Sequence, residues 1–163
     1  MKFHTLLFGF LFLSSSASAF SNSAQATSEK LGEWTLSCKS SLCYIHQSLV
    51  ADNGKKAGIV ASINVALMPK NMDVLSVRLG SNALKEAGIG IKIDNNKDIK
   101  AKILECNAQL CQTNIAIDEQ MQKELTNGTL MQLVYLDKNS KKQITLPFGL
   151  KNYSKAYQAL KNH

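Results

Sequence analysis

Histidine is scarce in this 163-residue chain, which holds only His4, His46 and His163, the last of them terminal. A Ser-His-Asp or Cys-His centre would have to be built on His46. That residue sits in phase with Tyr44 in an alternating segment and reads as structural. A zinc hydrolase needs more ligands than these. Arginine is scarcer still: Arg78 stands alone among 19 basic residues. Nucleic-acid recognition favours arginine forks and aromatic platforms. Neither clusters here, so nucleic acid is not expected as a partner. A Cys-x-x-Cys redox motif is missing, and Gly88, Ile89 and Gly90 lack the rest of a dinucleotide fingerprint and its βαβ setting. Carboxylates are present at Asp73, Glu86, Asp94, Asp98, Glu105, Asp118, Glu119 and Glu124. None stands in an apolar context, the kind that raises a carboxyl pKa, more persuasive than a turn or a helix start. No catalytic residue, cofactor or metal ligand is assigned.

Long apolar runs are also few. One opens the chain: Lys2 and the free amine precede the uninterrupted run from Leu6 to Leu13, and the polar stretch Ser14–Ser16 leads to Ala17, Ser18 and Ala19. Small residues at these positions are what a signal peptidase reads. Eight apolar residues at helical rise span about 12 Å, far short of a hydrocarbon core of ~30 Å. The expectation is a removed export signal over residues 1–19, with a second cleavage point after Ala26 as the alternative. Residues 20–31 read as a flexible tether and 32–163 as one β-rich domain. Cutting 19 residues from 163 leaves 144, enough for a real core. The 19 basic residues, less Lys2, then face 12 acids, a net charge of +6. No later stretch is long and apolar enough to cross a bilayer. The lysines are scattered through turns and the tail, which suits solubility first and weak association with anionic surfaces second. Asn127-Gly-Thr129 and Asn152-Tyr-Ser154 match a glycosylation sequon, and both are left unmodified in this reading.

Four cysteines form two Cys-x4-Cys pairs, Cys38 with Cys43 and Cys106 with Cys111. Four cysteines allow three pairings. If each pair flanks a tight β-turn, its members face each other across a hairpin at about 5.5 Å, within disulfide reach. Local pairing is therefore expected, Cys38–Cys43 and Cys106–Cys111, each contributing about 2 kcal/mol in the chain-entropy model. The rival is a four-thiolate zinc site. Zinc knuckles usually space each pair by two residues, and an oxidising compartment removes the thiolates.

Alternation of period two recurs through the remainder. Ile59 to Leu67, Leu75 to Leu79, Ile89 to Ile93, Met131 to Tyr135 and Ile144 to Phe148 each put one face inward and one toward water. With Trp34–Cys38, Cys43–Val50, Lys100–Leu104 and Leu110–Ile117 they make about nine short strands, separated by turn residues. Two segments switch to helical spacing. Asp118 caps a short helix that ends near Asn127 and Gly128. Tyr153, Ala156, Tyr157 and Leu160 form an apolar stripe in the tail, facing Lys151, Lys155 and Lys161, and this stripe should dock on the sheet. The fold class is mainly β: an antiparallel β-sandwich or barrel-like domain with one short helix and a C-terminal helix.

The order of these pieces resembles the bacterial invasion-associated locus B family from Gly32 to Leu160. Gly32, Trp34 and Cys38, followed by Cys43 and Gln47, are similar to the family's Trp-led strand and first cysteine pair. Ala87 to Asp94 is similar to its glycine-led strand ending in Asp. Leu104, Glu105 and Cys106, then Cys111 and Gln112, match its second pair. Leu125 to Gly128, and Leu146 through Tyr153 to Leu160, match its closing elements. The loop between Cys38 and Cys43 is shorter than in the family. Leu110 stands where a glycine often precedes the last cysteine, and Pro69 is separated from Leu79 and Gly80. The resemblance implies an exported periplasmic or surface-associated bacterial protein, linked in some members to host-cell invasion, and it carries no catalytic residues.

The resulting expectation is a non-enzymatic protein acting through a binding surface on an envelope or host component. Two alternatives stand beside it. One is a small carboxylate-dependent periplasmic hydrolase with two acids converging about 5–10 Å apart. The other is a chaperone-like envelope accessory with an exposed apolar groove.

Overall fold

The computed structural model describes residues 26–52, 57–69 and 72–163. Residues 1–25, which hold the expected export signal and the start of the expected tether, lie outside the described residues. Eleven strands follow one another as β1 (Thr27–Leu31), β2 (Trp34–Lys39), β3 (Leu42–Asp52), β4 (Ala57–Met68), β5 (Met72–Gly80), β6 (Ile89–Ile93), β7 (Ile99–Ala101), β8 (Glu105–Cys106), β9 (Leu110–Ile117), β10 (Leu130–Leu136) and β11 (Gln143–Gly149). Helix α1 (Glu119–Asn127) joins β9 to β10, and α2 (Tyr153–Lys161) closes the chain.

The strands form two antiparallel sheets, of seven in the order β1-β2-β3-β4-β5-β9-β8 and of four in the order β11-β10-β6-β7. The expected mainly β fold holds, and no barrel closes among the described residues. Alternation decides which face goes inward. Ile45, Ile63, Val65, Leu75 and Val77 from the large sheet are buried in one cluster with Ile91, Ile93, Met131, Leu133 and Phe148 from the small one. Trp34 is wholly buried, and Tyr153 meets it edge-on with ring centroids 5.1 Å apart. The expected tail stripe docks as read: Tyr153, Ala156 and Leu160 are buried.

Residues 27–31 differ from the tether reading. They pair with β2 from Thr27 opposite Cys38 to Leu31 opposite Trp34. Only Leu31 of this strand is buried, so almost no hydrophobic pattern announces it; the free edge of β2 supplies its ladder.

Several residues that carry the family resemblance have structural work. Buried Gln47 donates from Nε2 to the carbonyl of Gly149 at 2.6 Å, a bond between the two sheets spanning 102 positions of sequence. Asp94 ends β6 in a left-handed conformation, φ 48°. Its carboxylate accepts the amides of Thr129 and Leu130, both at 3.0 Å, and so fixes the start of β10. Asp118 caps α1 as expected, accepting from the Met121 amide at 2.7 Å. At the turn where Leu110 replaces a glycine, Asn107 Oδ1 accepts the amides of Gln109 and Leu110 at 2.8 and 2.9 Å. This side-chain turn holds the geometry without glycine.

Candidate functional site

The first candidate group, the cysteines, is brought together in the expected local pairs. Cys38 lies opposite Cys43 on β2 and β3, and Cys106 opposite Cys111 on β8 and β9. Both pairs have their sulfurs at disulfide distance, with Cα atoms 4.1 and 4.0 Å apart. That is nearer than the expected separation, because these positions belong to the closer, non-hydrogen-bonded kind of antiparallel pair. The pairs sit on opposite flanks of the seven-stranded sheet, with β4 and β5 between β3 and β9. Three strand spacings make at least about 14 Å, too far for four sulfurs to share one ion. Cys38, Cys43 and His163 do approach within 4.8 Å of one another, but two of these three ligand atoms are sulfurs at disulfide distance from each other.

His46 lies on the outer face of the large sheet, 3.1 Å from the Ser37 hydroxyl. Burial alone lowers its pKa below the ordinary histidine value. Among the described residues no carboxylate orients its ring, and the neighbouring strand amides are committed to the ladder. A serine and a histidine in contact lack here the third group and the oxyanion donors that acyl transfer needs.

The carboxylates have been placed largely in structural bonds. Asp73 accepts the Tyr157 hydroxyl at 2.5 Å, Glu105 meets the Gln112 side chain, and Glu124 accepts from Gln120 at 2.7 Å. Asp98 faces Lys92 at 3.9 Å. Two small clefts beside α1, of about 220 and 200 Å³, bring Asp94 to Glu124 and Asp98 to Asp118 and Glu124. Of these four acids, Asp94, Asp118 and Glu124 are already engaged by the bonds given above.

A larger concavity lies elsewhere, on the outer face of the four-stranded sheet. Two adjoining hollows of about 490 and 410 Å³ share Gly90, Lys100, Val134 and Gln143. Register explains their shape. Lys100, Gly90, Val134 and Thr145 are direct neighbours across β7, β6, β10 and β11. The middle of this row is low, because Gly90 has no side chain and Val134 a short one. On one side stand Lys92 and Gln132, neighbours in the next outward row; on the other stand Leu136 and Gln143, similarly paired. A trough therefore crosses the strands, about 14 Å long at ordinary strand spacing. Lys102 and Glu86 flank its second half.

Gly90 is the residue that opens it. A Cβ there would meet only Val134, at 3.8 Å, and its φ lies outside the left-handed region. Neither backbone nor packing demands a glycine. Gly88, two residues earlier, is the opposite case: its φ is +71°, and a Cβ would come 2.5 Å from the Ala101 carbonyl oxygen. In the sequence both glycines stand in a failed dinucleotide motif and in the glycine-led strand of the family resemblance, and neither setting points to a trough. The available signal was an interior strand glycine, which marks a bulge or a close approach.

A family model described as Invasion associated locus B (IalB) protein matches residues 34–161. No curated protein matches the sequence. Among solved structures, the crystal structure of invasion associated protein b from Bartonella henselae is similar with a TM-score of 0.74 and 20% identity. The match covers 83% of this chain and 96% of that one. At this identity the likeness concerns the fold, and the two-sheet architecture agrees with it. With the family model spanning nearly the whole described domain, the chain belongs to the invasion-associated locus B family.

Proposed function

We propose that this protein is exported, loses residues 1–19, and works without catalysis as a binding protein of the bacterial envelope, its ligand seated in the trough over Gly90. The observation that carries this reading is the glycine itself. An interior strand glycine costs about 0.5–1 kcal/mol relative to alanine, and here neither conformation nor packing accounts for it. Open space above the sheet does. The two cysteine pairs, taken as disulfides, suit an oxidising compartment. No described helix is long and apolar enough to cross a membrane. The test is saturable binding of the labelled, processed protein to a washed envelope fraction, competed by excess unlabelled protein. A turnover activity lost on Asp98→Asn or Glu86→Gln would overturn the non-enzymatic reading.

A second reading, a chaperone-like accessory, is favoured by one observation. Leu42, Tyr44, Met68 and Met72 are all exposed at one end of the large sheet, and alternation puts them on its outer face together. On that reading Leu42→Ser with Met72→Ser abolishes suppression of client aggregation, while the trough variants leave it unchanged.

A further inference from the structure

The side chains around the trough narrow the kind of ligand it suits. Three lysines line it, Lys92, Lys100 and Lys102, against two acids, Glu86 and Asp98. Lys92 is matched by Asp98 at 3.9 Å. Neither Lys100 nor Lys102 has a carboxylate within 4.0 Å among the described residues. With Lys92 matched by Asp98, Lys100 and Lys102 stand against Glu86 alone, an excess of one positive charge at the β7 end. Toward β11 the lining changes to Gln132, Gln143 and Thr145, neutral groups that both donate and accept hydrogen bonds.

The backbone offers much less. β6 is paired on one side with β10 and on the other with β7, and β10 with β6 and β11. Their amides and carbonyls are used in the ladder, so an extended peptide cannot join as another strand over this floor. Over this floor recognition comes from side chains: point charges at one end, amides and a hydroxyl at the other, and a narrow uncharged floor between. A chain rich in hydroxyls and bearing spaced acid groups meets all three requirements. We infer that the trough takes a linear acidic glycan, its acid groups toward Lys100 and Lys102 and its hydroxyls toward Gln132, Gln143 and Thr145. This rests on the reading of the trough as the binding site.

The test follows backbone amide resonances of the full processed protein during titration with three probes. These are a galacturonate hexamer, a neutral maltose-type hexamer and a glutamate hexapeptide. The galacturonate should shift the amides around Gly90, Lys100, Val134 and Gln143, and its affinity should fall steeply with salt. It should bind at least tenfold more tightly than the other two. K100Q combined with K102Q should weaken it at least tenfold without moving the melting temperature. Equal binding of the maltose-type probe in the trough would overturn the acidic requirement and leave the site standing. Tighter binding of the hexapeptide there would replace a glycan with an acidic peptide. Saturation with galacturonate that shifts only residues outside the trough, or no shift from any probe at millimolar concentration, would overturn both ligand and site.

Discussion

Gly88 and Gly90 lie two residues apart, one at the mouth of a strand and one inside it, yet their replacement should move stability in opposite directions. At Gly88 a side chain would need a conformation that is essentially glycine's own, φ +71° with ψ −158°, costing about 1–3 kcal/mol. It would also press on the Ala101 carbonyl oxygen at 2.5 Å, backbone that moves only with β7. Gly88→Ala should therefore destabilise by at least about 2 kcal/mol. At Gly90 the nearest obstacle is ordinary van der Waals contact with Val134. Gly90→Val removes chain entropy from the unfolded state and places a β-branched residue on a sheet, a gain of about 1 kcal/mol. For a domain of this size that corresponds to a rise of roughly 4 °C in Tm. Thermal and urea melts read by circular dichroism would measure both. A Gly90→Val protein less stable than wild type by 1 kcal/mol or more would refute the claim that packing leaves that position open. A neutral Gly88→Ala would refute the steric account of its neighbour.

Other expectations concern what holds the frame. Gln47→Leu removes the bond to Gly149 that ties the sheets and should cost about 1–2 kcal/mol, lowering the urea midpoint at constant slope. Tyr157 donates to Asp73, and its pKa is raised to about 12 by desolvation first and by that carboxylate second. A raised phenol contributes stability that is complete below the ordinary value of 10.0 and is lost as pH climbs from there toward 12. Tyr157→Phe should flatten this alkaline arm in melts taken across that range; an unchanged slope would remove Tyr157 as its source. In an unreduced tryptic digest the peptide ending in Lys39 should be joined through Cys38 to the one carrying Cys43. Cys106 and Cys111 share one tryptic peptide, so their bond should appear as the loss of two hydrogens; any peptide linking the first pair to the second would contradict local pairing.

Much of the frame was legible because burial imposes a period on the sequence. Ala61, Ile63 and Val65 with Leu75, Val77 and Leu79 are buried as the alternation predicts, but Ile59 and Leu67 at the ends of the first run are exposed, and the β3–β4 register shifts between Leu49 and Val50. The helix at Asp118 and the stripe from Tyr153 to Leu160 could be read for the same reason. β1 could not be: Thr27 to Leu31 offers one buried side chain, and its strand state comes from the open edge of β2. Gln47 was visible as part of the family resemblance, but its bond to Gly149 depends on how two sheets stack, which no local pattern encodes. The trough was hidden for a related reason. It arises where Gly90, Val134, Lys100 and Thr145, distant in sequence, fall into one row of four strands. The acids showed the converse: Asp73 and Asp94 are engaged by a phenol and by two amides that no local pattern announces, whereas Asp118 caps its helix as read.

The binding reading turns on Gly90 leaving open the space above it. It is tested most directly by titrating a washed envelope fraction with wild type and Gly90→Val at equal folded concentration. At least a tenfold loss of affinity in a variant whose Tm is no lower is the expected result. Undiminished binding by a well-folded Gly90→Val protein would contradict it.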